Sequence, residues 1–243
     1  MARFHLRKGL VNYVGLCLSI IGFILTVLCL AGCLKPSSYG FYFAKITDAE
    51  ASSDGSFVSI YFGWQAYCVQ ESNQPMACYN DRSIMVVPFD VSVSNQLNET
   101  YPRLFIDKVE QDEALNPGAS PNPPHDPKIY PAAVLCLICS AILLVCCLYR
   151  VTYPSRYQDE YFTRGFLALV SAVFALLLVI LSTVMYSDAV DQLNRAYPHL
   201  QATEGTGLPM IGCAFAAFTI AGFILLRGCM SIDSNDNDGY SPI

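Results

Sequence analysis

The sequence predicts an all-α transmembrane four-helix bundle carrying a small extracellular antiparallel β-sheet. Three observations predict it: four long uncharged blocks, a strand-like texture between the first two, and basic residues gathered at one set of block ends. Of 243 residues 53% are hydrophobic and only 14% charged, where a soluble domain carries about a quarter charged residues. The uncharged runs are 26 residues between Lys8 and Lys35, 21 between Lys128 and Arg150, 23 between Arg164 and Asp188, and 22 between Glu204 and Arg227. Each can cross a bilayer, which needs about 20 apolar residues at 1.5 Å rise apiece. A soluble cytosolic enzyme is excluded on this ground, and the net charge of −6 weighs separately against nucleic acid as a partner.

Taken in order, residues 1–10 are a cytoplasmic N-terminus and 11–34 the first span. Residues 35–128 form a large extracellular loop and 129–149 the second span. Residues 150–164 are a cytoplasmic linker, 165–187 the third span, 188–207 a short extracellular segment, 208–226 the fourth span and 227–243 a cytoplasmic tail. The orientation follows from Lys and Arg, which stay on the cytoplasmic side. Arg3, Arg7 and Lys8 precede the first span, Arg150, Arg156 and Arg164 fill the linker, and Arg227 follows the fourth span. The two extracellular segments hold six basic against twelve acidic residues and one against three, a sum of −8. The sequon Asn98-Glu99-Thr100 lies in the long loop, where a glycosylating enzyme reaches it. Leu30-Ala31-Gly32-Cys33 imitates a lipoprotein processing site, but three further spans and the sequon fit a retained first helix better.

Within the long loop, Tyr39–Thr47, Phe57–Val69 and Ile84–Val93 are rich in β-branched and aromatic residues and read as strands. So small a sheet needs a staple. Of eleven cysteines only Cys68 and Cys78 stand clearly outside the membrane, where disulfides persist, and they are expected to pair. By loop entropy such a bond contributes about 2–3 kcal/mol. Gly63 reads as a bend or a close backbone approach. Trp64 and Tyr67 read as filling of the little core in preference to interfacial anchors.

After the sheet come Asp107, Glu110, Asp112 and Glu113, then five prolines within 116–128. The acids are weak calcium candidates, at millimolar affinity for a flexible site, and a solvated charged face is the favoured reading. The prolines make a stiff linker. Residues 188–197 keep helical spacing and extend the third helix past the bilayer until Pro198.

The span interiors hold no Asp, Glu, Lys, Arg or His, the residues that mark ion pathways and proton relays. His5, His125 and His199 lie in flanks or loops without ligand spacing, so neither metal nor cofactor nor enzymatic chemistry is expected. Cys136-Leu137-Ile138-Cys139 has the CxxC spelling inside an apolar helix and reads as core filling. The tail 233–239 imitates a calcium loop but places its glycine one position late. Small residues four apart (Gly15 and Ser19, Ala168 and Ala172, Ser171 and Ala175, Gly212 and Ala216, Ala217 and Ala221) suit close helix packing, within one chain or between copies. Cys146, Cys147 and Cys229 sit at the cytoplasmic membrane edge, open to palmitoylation or serving as plain apolar filler.

A strand-borne Gly63-Trp64-Gln65-Ala66-Tyr67-Cys68 followed by Cys78 resembles the claudin-like four-span proteins. Claudins proper place tryptophan three residues before the first cysteine, where this chain has Gln65. Two fungal branches are more similar. The mating-associated calcium regulator and membrane-fusion family resembles the chain in Leu30-Ala31-Gly32-Cys33, in Tyr42-Phe43-Ala44-Lys45-Ile46 and in Ile60-Tyr61-Phe62-Gly63 leading to Cys68 and Cys78. The cortical-patch and PalI-like family resembles it in FYFAKI and in the Gly63-x-x-Ala66-Tyr67-Cys68 ending. The first resemblance implies a plasma-membrane regulator of calcium influx and membrane fusion at cell–cell contact. The second implies a scaffold of cortical membrane patches without ion traffic. In both, the partners are the lipid bilayer and other membrane proteins or copies of the chain.

Overall fold

A computed structural model describes residues 2–48, 58–71, 75–80, 129–152, 161–196 and 200–233. Among these the chain is mostly helical, with one antiparallel sheet. The elements are α1 (Ala2–Leu30), a single 3-10 turn (Pro36–Ser38), β1 (Ala44–Asp48), β2 (Val58–Phe62), β3 (Ala66–Glu71), β4 (Ala77–Asn80), α2 (Ile129–Thr152), α3 (Tyr161–Ala196), β5 (Leu200–Glu204) and α4 (Gly207–Asp233). Four helical stretches are long and apolar enough to cross a membrane: Asn12–Leu30, Pro131–Thr152, Phe162–Arg195 and Gly207–Leu226. That is the build of a multi-pass membrane protein.

The chain divides into two compact units. One comprises Met1–Val27, Ala132–Leu177 and Ile211–Ile243; the other comprises Leu28–Pro131 and Leu178–Met210. Within the first, helices meet through small residues. Gly15 and Gly22 of α1 lie against Leu225 and Phe218 of α4, and Gly222 of α4 lies against Leu169 of α3. The hydroxyls of Ser19, Thr26, Ser140 and Ser171 are buried and donate to the carbonyl four residues back in their own helices, so they need no partner across the interface. Of the five small-residue pairs, four include buried residues at both positions. The fifth differs: Gly212 has open space where a Cβ would stand and Ala216 is exposed, so that stripe faces outward.

The second unit holds the sheet, in the order β4-β3-β2-β1-β5, with every neighbour antiparallel. Phe57–Val69 is not one strand. From Val58 on it is the hairpin β2–β3, with Gly63, Trp64 and Gln65 between the strands and Phe62 opposite Tyr67. The short segment after α3 supplies the fifth strand, which pairs with β1 from Ala44 opposite Glu204 to Asp48 opposite Leu200. That strand was not apparent in the sequence, and the expected strand Ile84–Val93 lies outside the described residues. The outer edge of β5 is blocked at Ala202, whose N–H donates to Asn194 Oδ1 (2.8 Å) and whose carbonyl accepts from Asn194 Nδ2 (3.0 Å). An amide side chain thus stands in for a sixth strand, one way to protect an edge.

The first helix stops at Leu30, four residues before the expected end of its span. Cys33 takes a left-handed backbone (φ 60°), a conformation that ends helices, and Gly32 lies so close to the Phe41 carbonyl that a Cβ would stand 2.1 Å from its oxygen.

Candidate functional site

Pairing register explains how the hairpin is stapled. Lys45 stands opposite Tyr61, Tyr61 opposite Cys68, and Cys68 opposite Cys78, so all four side chains lie on one face. Cys68 and Cys78 are joined by a disulfide with their Cα atoms 4.0 Å apart. Cys33, Tyr61, Ala66 and Cys68 form a buried cluster, against which Leu34, Tyr42, Met76 and Cys78 pack. Cys68 Sγ lies 3.2 Å from the Cys33 carbonyl oxygen; as a disulfide sulfur it has no proton to donate, so this is a packing contact.

The Cys33 thiol itself is free and fully buried. Burial pushes its pKa up to about 12, because an apolar site disfavours the thiolate. Tyr61 is also held above its ordinary range, first by burial and then by the neighbouring Tyr39. Its hydroxyl donates to Gln70 Oε1 at 3.2 Å.

The hairpin corner is anchored to α3. Trp64 is 1% exposed, stacks on Phe43 with ring centroids 4.7 Å apart, and donates its indole N–H to Ser182 Oγ at 3.1 Å. Tyr186 stacks on the same Phe43 and donates its hydroxyl to the Gly63 carbonyl at 3.0 Å. Gly63 is needed for close approach: an added Cβ would stand 2.5 Å from the Gly32 carbonyl oxygen. Its N–H donates to the Ala66 carbonyl at 2.8 Å, closing the corner. Tyr67 is buried on the opposite face and stacks on Tyr79. The residues carrying the family resemblance are therefore structural neighbours: Gly63 and Trp64 hold the hairpin to α3 and to the α1 exit, and Cys68 and Cys78 close its far strand.

Other expected sites fare differently. Asn98 and the acids Asp107, Glu110, Asp112 and Glu113 lie outside the described residues. Cys146 is half-buried, whereas Cys147 is 1% exposed beside the Arg164 guanidinium. Cys229 falls on α4, and its side chain is outside the described set. Among the described residues no group of three His, Cys, Asp or Glu could hold a metal ion.

Sequence reasoning missed Arg164. Read as a linker charge, it lies in the first turn of α3 at only 5% exposure and donates from Nη1 to Asn12 Oδ1 of α1 at 3.2 Å. The one available signal was its position next to an apolar run, which does not distinguish a solvated charge from a buried one. The anchor residues Ser182 and Tyr186 were missed as well, since both read as ordinary span residues.

No protein-family model matches this chain, and no curated protein matches it.

Proposed function

We propose that the protein is a plasma-membrane four-span regulator that assists calcium influx and membrane fusion at cell–cell contact. Both termini lie in the cytoplasm and the sheet lies outside the cell. The observation that carries this reading is the coincidence of motif and anchor: Gly63, Cys68 and Cys78, part of the resemblance to the mating calcium-regulator family, build one fixed hairpin together with Trp64 of the claudin-like layout. A stapled sheet tied to a helix presents a constant surface to a partner at little ordering cost. The excess of acidic residues in 35–128 and 188–207 concentrates cations near that surface. No chemistry is performed on a substrate; the chain acts by holding and positioning other membrane components.

The test is a deletion strain. Calcium influx and fusion of mating partners should fall, and recover with the wild-type gene but not with Trp64→Ala. Normal influx and fusion in the deletion strain contradict the proposal.

A second reading, a scaffold of cortical membrane patches without ion traffic, is favoured by the outward stripe of Gly212 and Ala216, which lets a second helix approach closely. Live imaging of tagged protein separates the two. Stable patches in vegetative cells support the scaffold, and recruitment to contact zones supports the regulator.

A further inference from the structure

The sheet carries a cation whose surroundings suit an anion. Lys45 is half-buried on β1, with its ammonium 5.3 Å from the centroid of the Tyr61 ring. Among the described residues no carboxylate lies within ion-pair distance of it. Tyr39 and Tyr42 pack edge-on against that same ring, at centroid distances of 5.5 and 5.1 Å, and Tyr39 is 42% exposed. One ammonium and three tyrosines therefore form a single polar-tipped aromatic patch.

Two helix ends meet the stretch of chain that carries this patch, all within the second unit. The first apolar stretch ends at Leu30, and the chain turns tightly there, with Gly32 N–H donating to the Cys29 carbonyl and Leu34 N–H to the Ala31 carbonyl. Cys33 and Leu34 belong to the cluster that includes Tyr61 and Tyr42. The fourth apolar stretch begins at Gly207, whose N–H donates to the Tyr42 carbonyl at 2.8 Å. Tyr42 is thus level with the end of one apolar stretch and the start of another. A bilayer's headgroup layer is roughly 5–8 Å deep on each side, the zone next to the ends of apolar stretches once these are embedded.

We propose that Lys45, framed by Tyr61, Tyr42 and Tyr39, is a docking site for the phosphate of a bilayer phospholipid and favours anionic headgroups. The ammonium offers hydrogen-bond donors to phosphate oxygens, and partial burial against tyrosine rings strengthens that attraction relative to open water. Tyrosine is at home in this layer because its ring is apolar and its hydroxyl wet. Charge sets the preference: an anionic lipid keeps its net charge, whereas the choline of a zwitterionic lipid offsets the phosphate. Lys35, exposed five residues beyond Leu30, adds a second positive charge to the same stretch of chain. The site rests on the reading that these helices span a bilayer.

The test uses the full chain in nanodiscs of phosphatidylcholine with phosphatidylserine added as the probe, and native mass spectrometry of the lipids retained on gentle extraction. Wild type should retain phosphatidylserine in excess of its bulk share. Lys45→Gln should lose about fivefold of that enrichment, while Lys45→Arg keeps most of it, with unchanged Trp64 fluorescence reporting an intact fold in both. Millimolar inorganic phosphate should displace nothing. Equal enrichment in Lys45→Gln and wild type overturns the site, and so does displacement by inorganic phosphate, which assigns it to a soluble anion. Failure of the wild-type chain to enter nanodiscs refutes the spanning reading and the proposal with it.

Discussion

Replacing Gly63 by alanine tests the hairpin anchor at its tightest point. The new Cβ would stand 2.5 Å from the Gly32 carbonyl oxygen and 3.0 Å from its carbon, where ordinary contact begins at 3.4 Å. Both atoms are backbone, so no rotamer change relieves the contact, and the corner must move by most of an ångström. That movement also pulls the Gly63 carbonyl from the Tyr186 hydroxyl, now 3.0 Å away. Overpacking of this kind costs about 1–3 kcal/mol and a weakened hydrogen bond about 1 more. A loss of about 2–4 kcal/mol shifts the folding equilibrium at least thirtyfold and the melting temperature by roughly 4–16 °C for a chain of this length. The assay is convenient because Trp64 is the only tryptophan. Its emission should be blue-shifted in the native protein and move to the red as the corner opens on heating in detergent. Gly40→Ala is the control, since a Cβ there meets nothing within 4 Å. An unchanged midpoint for Gly63→Ala, or an equal shift for Gly40→Ala, refutes the close-approach argument.

Three further outcomes follow from the same contacts. Cys68→Ser and Cys78→Ser each remove the cross-link, costing about 2–3 kcal/mol, and should be retained in the secretory pathway; surface levels equal to wild type would contradict the staple. The buried Cys33 thiol makes stability fall with rising pH, because burial holds its folded pKa at about 12, above the ordinary thiol value of 9.0. Between those values the unfolded chain releases a proton that the folded one keeps, so up to about 1.4 kcal/mol is lost per pH unit; this contribution is fully present below pH 9, and Cys33→Ala should flatten the denaturation profile above it. Ala172→Leu should destabilise the helices by about 1–3 kcal/mol because Ala172 is 5% exposed, whereas Ala216→Leu, on the outward face, should leave the midpoint in detergent unchanged.

The spans were legible because each is an uninterrupted apolar run, a pattern that needs no tertiary information. Their ends were less so. The first helix stops at Leu30 because of the Cys33 backbone and the Gly32 contact with Phe41, and neither leaves a mark in hydropathy. Phe57–Val69 read as one strand because Gly63-Trp64-Gln65 lacks the Asn-Gly or Asp-Gly signature of a tight hairpin, and its tryptophan looks like strand material. It turns there because Trp64 is captured by Phe43 and Ser182, which are remote in sequence. The fifth strand was invisible for a related reason: Leu200-Gln201-Ala202-Thr203-Glu204 has little intrinsic strand character and is extended because it pairs with β1. Partnership of Cys68 with Cys78 could be read from compartment alone, but the burial of Arg164 could not, since burial depends on which helices meet.

The proposed topology has the four apolar helices crossing a bilayer, with the sheet outside the cell and both termini inside. The most direct measurement is protease treatment of intact protoplasts expressing the chain with a different epitope at each terminus. Cleavage in the outer region 35–128 should yield two fragments, each keeping its epitope. A chain left whole while surface proteins of the same cells are digested, or loss of either terminal epitope, contradicts the claim.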